Sequence, residues 1–120
     1  MNPNVLIVYY SRSGNTRRVA DMIAHLIDCD VEPIVCKENL SGFWGFIKCA
    51  FYAIFNKFLQ ISKIEHNLEK YKIVLIGTPI WAGKISNPIH TFIDRYKDKL
   101  TQVAFFATMG AAKAIMNFNF

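Results

Sequence analysis

Cysteine is scarce in this 120-residue sequence, and no two cysteines have the CxxC spacing of a metal or redox site. No signal-peptide pattern precedes Cys29, Cys36 and Cys49, so we expect reduced thiols and a cytoplasmic location. The three histidines lie far apart and have no second ligand at metal-binding spacing. We therefore expect no metal site.

Long charge-free apolar runs are also absent. The most apolar window, Ser41 to Ile61, is interrupted by Lys48 and Lys57, whereas a spanning helix needs about 20 apolar residues. We expect one domain, residues 1–120, with an apolar helical insert at about 41–61 and no transmembrane segment. The net charge of +5 indicates an anionic ligand, an acidic partner or a membrane surface. We expect no nucleic-acid partner.

Glycine-rich nucleotide motifs are missing as well. Neither GxGxxG nor GxxxxGK followed by Ser or Thr occurs, which excludes a typical dinucleotide-binding Rossmann domain and a P-loop nucleotidase. The turn SRSGNT, Ser11 to Thr16, contains no cysteine, which a phosphatase of the low-molecular-weight type needs there as its nucleophile. Thr78 stands where a response-regulator module needs an acidic residue.

Four apolar runs predict strands at 5–10, 31–36, 72–77 and 102–108. Pro33 lacks an N–H for the ladder, so the second strand suits a sheet edge. Amphipathic helices are predicted over 15–27, with Leu26 on the buried face, and from Pro88 onward, with Asn87 as N-cap. This alternation predicts a doubly wound parallel α/β sheet, whose ligands bind beyond the carboxyl ends of the strands.

The turn SRSGNT follows the first strand and has the composition of an anion site. Its hydroxyl and amide groups can donate to phosphate oxygens, and Gly14 lets successive N–H groups converge. The next helix adds its N-terminal donors, and no carboxylate occurs from Ser11 to Ala20. The alternative is an ordinary turn in which Ser13 or Thr16 caps the helix.

Two further loops follow neighbouring strands. Residues 78–88, TPIWAGKISNP, form a long non-periodic loop in which Trp81 is suited either to stacking on a planar ligand or to packing on the core. Residues 108–111, TMGA, include Gly110, which either permits close approach to a ligand or makes a simple turn. Together the three loops predict a phosphate cradle beside a slot for a flat ring.

The segments YYSRSGNTRRVA and IGTPIWAGKISNPIHTFI resemble the phosphate loop and the second flavin loop of the flavodoxin-like FMN-binding family, and FFATMG resembles the start of the third. The resemblance implies a sheet of four strands in the order 2-1-3-4, with the family's fifth strand missing. It implies that FMN phosphate is held by Ser11, Arg12, Ser13, Gly14, Asn15 and Thr16. It implies that the flavin ring lies between Pro79, Ile80, Trp81, Ala82, Gly83 and Lys84 on one side and Thr108, Met109 and Gly110 on the other.

The implied function is that of an FMN-binding redox protein, acting in electron transfer or in flavin-dependent reduction of a small acceptor such as a quinone. No catalytic acid or base is implied, and the chain is either an electron carrier for a redox partner protein or an oxidoreductase. The alternative is a truncated flavodoxin-like interaction module that no longer binds flavin. Lys84 distinguishes the chain from acidic flavodoxins, and a cation near the ring predicts a less negative potential.

The short C-terminus and the insert carry two further expectations. The fourth strand, 102–108, is expected to be an open apolar edge, which predicts a homodimer through that edge or through the C-terminal tail. In the insert, we expect a helical face to cover the sheet, with Trp44 and Tyr52 available to a partner, a quinone-like substrate or a membrane surface. The residues expected on the covering face are Phe43, Ile47, Phe51, Ile54, Phe55 and Phe58.

Overall fold

The four apolar runs form a parallel sheet in the predicted spatial order. The computed structural model describes residues 2–37, 42–54, 59–81, 83–109 and 113–119. The strands are β1 (Val5–Tyr9), β2 (Asp30–Pro33), β3 (Ile73–Trp81), β4 (Lys84–Ile85), β5 (Val103–Met109) and β6 (Lys113–Asn119). The helices are α1 (Asn15–Ile27), α2 (Gly42–Ile54) and α3 (Asn87–Tyr96), with short 3-10 turns at Leu68–Lys70 and Lys97–Lys99.

The sheet has the order β2-β1-β3-β5-β6, and β4 pairs with the end of β3. Strands β2, β1, β3 and β5 are mutually parallel, which confirms the doubly wound fold and the order 2-1-3-4 of the predicted strands. Pro33 lies at the end of the edge strand β2, as expected for a residue without an amide donor.

The sheet has a core on each face, because its central strands carry apolar side chains in both directions. Helix α1 covers one core, which contains Ile7, Leu75 and Phe106. Helix α3 and the segment 59–71 cover the other, which contains Val8, Ile76 and Phe92. Strands buried on both faces read as continuous apolar runs rather than as alternating patterns, which is why the sequence revealed them.

The expectation that the sheet stops at an open fourth strand is wrong. Strand β6 pairs antiparallel with β5 along its length, from Met109 opposite Lys113 to Val103 opposite Asn119. Only three residues separate β5 from β6, whereas a parallel return needs a crossover of about a dozen or more. Strand β6 therefore pairs with the backbone groups of β5 that were expected to be exposed.

Segment 59–71 is fixed to the edge strand by a buried carboxylate. Glu32 accepts hydrogen bonds from the backbone N–H groups of Glu65 (3.3 Å) and His66 (3.0 Å) and contacts the His66 ring at Nδ1. Tyr71 at the end of the segment donates to Asp30 at 2.8 Å. Burial, together with this hydrogen bond, raises the pKa of Tyr71 to about 12.

Two local expectations, the burial of Leu26 and the cap of α3, are corrected by the structure. Leu26 is 79% exposed, because the buried face of α1 runs through Thr16, Ala20 and Ile23, and residue 26 lies well to one side of it. Helix α3 is capped one residue earlier than expected, at Ser86. The Asn87 side chain instead accepts a hydrogen bond from the Leu59 amide at 2.6 Å, which anchors segment 59–71 on α3.

Helix α2 forms inside the predicted apolar insert, but its large side chains do not all cover the sheet. Phe43, Ile47 and Phe51 were expected to pack on the core, yet they are exposed, as is Trp44. Phe55 and Phe58, and the side chains of Tyr52 and Ile54, lie outside the described residues. None of the helices in the described ranges combines the length and apolar content needed to cross a membrane.

Candidate functional site

The three loops predicted to hold a ligand lie at the carboxyl ends of the adjacent strands β1, β3 and β5. Pro79 is in register with Thr108, so the second and third loops begin side by side. The first and third loops are joined directly, because Thr16 Oγ1 and Thr108 Oγ1 share a hydrogen bond of 2.7 Å. The structure therefore brings residues from all three predicted loops to one edge of the sheet.

The conformation of Gly14 and its hydrogen bond to Ser11 fix the turn SRSGNT. Ser11 Oγ accepts a hydrogen bond from the Gly14 amide at 3.0 Å, and Gly14 has φ +101° and ψ −8°. Only glycine adopts this conformation at low cost, and here it turns the chain from β1 into α1. The Gly14 carbonyl then accepts from the Arg18 amide at 3.0 Å, which starts the helix.

The N-terminus of α1 has the properties of an anion site. Its N-cap, Gly14, makes no side-chain capping hydrogen bond, and the first turn contains no acidic residue. The proposed alternative, in which Ser13 or Thr16 caps α1, is wrong: Gly14 is the cap and the Thr16 hydroxyl is engaged with Thr108. The first-turn N–H groups and the positive end of the helix dipole thus face the loop without a competing carboxylate.

The residues of the first loop differ in solvent exposure: most lie at the surface, and Thr16 is buried. Ser13 is exposed, and Ser11, Arg12 and Asn15 are half-buried, so these side chains line the surface of the turn. Thr16 is 1% exposed, and its hydroxyl contacts the third loop. The phosphate role expected of Thr16 stays a prediction, because its visible role is to connect two of the loops.

We expect Thr108→Val to destabilise the ligand-free protein by about 1–2 kcal/mol, since it leaves the buried Thr16 hydroxyl without this partner. Removing both hydroxyls, in Thr16→Val/Thr108→Val, should cost less than the sum of the two single changes. Urea unfolding of the four proteins measures this coupling. Additive effects would contradict a shared hydrogen bond between the loops.

The second loop is not the irregular segment that the sequence indicated. Strand β3 continues to Trp81, and a tight hairpin leads into β4, with Ile80 opposite Ile85 and Trp81 opposite Lys84. Gly83 has φ +76°, which suits the turn. Pro79 and Ile80 are half-buried, and Gly83 and Lys84 are exposed. Ala82 and the side chain of Trp81 lie outside the described residues, so the predicted stacking of Trp81 is untested.

Two buried hydroxyls hold this hairpin on the sheet, and they were missed as part of the site. Thr78 Oγ1 accepts a hydrogen bond from the Ser86 amide at 2.9 Å and lies 3.0 Å from Ser86 Oγ. Thr78 is 1% exposed and Ser86 is fully buried. A Thr at the end of one predicted strand and a Ser just before a helix were the available signals, but nothing in the sequence showed that they meet.

The third loop begins at Thr108, which is buried, and continues through Met109, which is 39% exposed at the end of β5. Gly110 lies outside the described residues. On the other side of the site, Tyr9 is buried at the end of β1, and its burial, with the nearby Asp21 carboxylate, raises the pKa of its phenol. In the described residues, no three His, Cys, Asp or Glu side chains come together as a cation site.

A doubly wound sheet with a helix N-terminus after β1 and two further loops at the carboxyl ends of the neighbouring strands defines a flavodoxin-like fold with a candidate ligand site. The comparison with protein families agrees with this class and refines it. Residues 3–118 match the model of the NADPH-dependent FMN reductase family, and the chain belongs to that family.

Solved structures give the same result. A flavoprotein from Lactobacillus acidophilus NCFM, crystallised in complex with FMN, is 29% identical, with a TM-score of 0.74 over 92% of this chain and 78% of that one. Its apo form, determined by NMR, gives a TM-score of 0.66 over 94% of this chain and 78% of that one, also at 29% identity. A candidate flavoprotein from Bacteroides eggerthii is 25% identical, with a TM-score of 0.74 over 92% and 74% of the two chains. A search of curated proteins found no match.

These findings confirm the resemblance to flavodoxin-like FMN-binding proteins, and they confirm FMN as the cofactor at the level of the family. The residues present fit that cofactor. A phosphate favours a positive helix end without an adjacent carboxylate, and the start of α1 has no acidic residue in its first turn, with the hydroxyl and amide side chains of Ser11, Ser13 and Asn15 beside it.

Proposed function

We propose that this protein binds FMN at the carboxyl ends of β1, β3 and β5. In this proposal it acts as a redox protein, in electron transfer or in reduction of a small acceptor. The observation that carries the proposal is the turn from Ser11 to Thr16: an uncapped helix N-terminus, free of acidic side chains, that is tied through Thr16 to the third loop. Family membership and the FMN complex of the Lactobacillus relative support it.

In this proposal each loop has a distinct task. The first loop holds the phosphate through the backbone N–H groups at the start of α1 and the side chains of Ser11, Ser13 and Asn15. The β3–β4 hairpin and Met109 border the ring on its two sides. The bound FMN would supply the redox chemistry, and the chain would orient it and set the charge around it. No protein acid or base is required.

The acceptor and the cellular setting belong to the same proposal. A small acceptor such as a quinone, or a redox partner protein, would approach the exposed hairpin at Gly83 and Lys84. A cytoplasmic location agrees with Cys29 and Cys36 being present as thiols. A homodimer, if formed through the sheet, would use the outer edge of β6, because β6 occupies the edge of β5. Light scattering tests for that dimer.

Reconstitution with FMN tests the proposal. Protein mixed with FMN and freed of excess ligand should keep a flavin absorption spectrum and release FMN on denaturation. Riboflavin, which lacks the phosphate, should bind much more weakly if the cradle at Gly14 contributes as proposed. The bound flavin should then be reduced by NADPH or by a chemical reductant. Folded protein that binds neither flavin would contradict the proposal and favour the alternative of an interaction module without flavin.

We expect Lys84→Glu to make the midpoint potential of the bound flavin more negative, by on the order of tens of millivolts. A cation in the hairpin stabilises the negative charge that the flavin gains on reduction, whereas a carboxylate there destabilises it. Redox titration of the two proteins measures the shift. Lys84→Gln should give an intermediate value, and an unchanged midpoint in Lys84→Glu would show that this side chain lies too far from the ring to matter.

A further inference from the structure

Helix α2 presents an apolar face to the outside of the molecule. Phe43 is 71% exposed, Trp44 78%, Ile47 41% and Phe51 47%. These residues follow the spacing i, i+1, i+4 and i+8, so they form one stripe along the helix. The rings of Phe43 and Trp44 pack edge to face against each other at 5.9 Å, so the two largest groups form one continuous patch.

The stripe cannot reach the core by a small rotation of α2, because the opposite side of the helix is already used. Gly45 is buried, and α2 contacts β3 and α3. The chain after α2 is fixed as well: the Leu59 amide donates to Asn87 Oδ1 at 2.6 Å, and Thr91 Oγ1 donates to the Leu59 carbonyl at 2.8 Å. Helix α2 is therefore apolar on two sides, and one of them already packs on the protein. The other side is an exposed apolar surface of the kind that binds a partner.

The positive charge of this helix and of the chain indicates which kind of partner would bind the stripe. Helix α2 contains Lys48 and no Asp or Glu, Lys57 follows it in the sequence, and the whole chain has a net charge of +5. A second copy of this chain would bring a like charge to the patch, whereas an anionic lipid surface would attract it. Lysine beside tryptophan and phenylalanine is also the composition of helices that lie in the headgroup region of a bilayer.

We propose that α2 is an interfacial helix that docks this protein on anionic lipid membranes through Phe43, Trp44, Ile47 and Phe51, with Lys48 beside the headgroups. At 13 residues, the helix lies on the bilayer and does not cross it. Helix α2 contacts β3 and α3, the two elements that the β3–β4 hairpin connects. Docking would therefore take place beside the elements that support the hairpin. The proposal does not depend on bound flavin.

Sedimentation with lipid vesicles tests it, using the full chain. The protein should bind vesicles that contain phosphatidylglycerol, should bind vesicles of phosphatidylcholine alone at least about tenfold more weakly, and should be released by added salt. Trp44→Ser and Lys48→Glu should each weaken binding to the anionic vesicles by about tenfold. Leu26→Ser is the matched control: it removes an equally exposed apolar side chain from α1, and binding should not change.

A second measurement reports contact between tryptophan and lipid directly. Brominated lipids in anionic vesicles should quench the tryptophan emission of the unsubstituted protein, and comparison with Trp44→Phe gives the share due to Trp44. Absence of binding to anionic vesicles would overturn the proposal, as would equal loss in Trp44→Ser and Leu26→Ser. So would self-association that Phe43→Ser abolishes without any vesicle binding, since the stripe would then be an interface between copies.

Discussion

We expect Gly77→Ala to lower the free energy of unfolding by about 3 kcal/mol, although it adds a single methyl group. Gly77 lies in β3, in register with Phe106 of the neighbouring strand β5. A Cβ atom at residue 77 would lie within 2.8 Å of three ring carbons of Phe106. The ring is fully buried in the core under α1, so it has little room to move away.

Thermal and urea unfolding measure this effect, which should lower the melting temperature by roughly 10 °C. Phe106→Leu supplies the test of the cause, because it removes the ring that the new methyl group would meet. Phe106→Leu should itself destabilise, but Gly77→Ala should cost clearly less in that background than in the natural sequence. If the two changes are additive, the destabilisation does not come from this contact.

The parallel strands and α1 were predictable because their causes are local. Each central strand is buried on both faces, so it appears as a short apolar run, and α1 begins at Asn15 and ends at Ile27 as its period indicated. The strand order was implied by the resemblance to the flavodoxin-like family, and right-handed crossovers are compatible with it. The lengths were less accurate: β3 extends to Trp81, because its last residues pair with β4 in a local hairpin and with β5, which lies far along the chain.

Prediction from the sequence failed where a side chain suited to a local role makes a long-range contact instead. Asn87 has the composition of a helix cap, but its side chain binds the Leu59 amide, and the sequence does not show that residue 59 is near. Thr16 was a candidate cap of α1, but its hydroxyl bonds to Thr108, 92 residues away, and its expected phosphate contact stays a prediction. Three residues of the stripe on α2, Phe43, Ile47 and Phe51, were expected to be core, because amphipathic spacing identifies a face but not what covers it.

The location of the candidate site was predicted better than the contacts that hold its loops together. Its parts lie at strand ends, and parallel strands place all of their carboxyl ends on one edge, so three separate loops were expected to meet. The structure places the described parts of these loops together. The contacts that hold them, Thr16 with Thr108 and Thr78 with Ser86, are long-range or buried pairs of common polar residues, which have no pattern of their own.

We expect Ser13→Asp to weaken FMN binding by about two orders of magnitude, the largest effect on function that a single exposed residue should have here. The natural turn contains no carboxylate, and Ser13 is exposed within it, so the new charge would face the phosphate that α1 is proposed to hold. A phosphate monoester carries between one and two negative charges at neutral pH, and repulsion over about 5 Å near a protein surface is a few kcal/mol. Fluorescence titration of FMN measures the change.

Ser13→Asn is the matched control, because it has the shape of aspartate without the charge, and it should bind FMN nearly as well as the natural protein. Riboflavin makes the experiment sharper, since it has the same ring and no phosphate, and its weaker binding should differ little between the Asp and Asn proteins. The difference should also shrink as salt is added, as expected for an exposed charge. Equal FMN affinity in the two proteins would show that the phosphate does not lie at the start of α1.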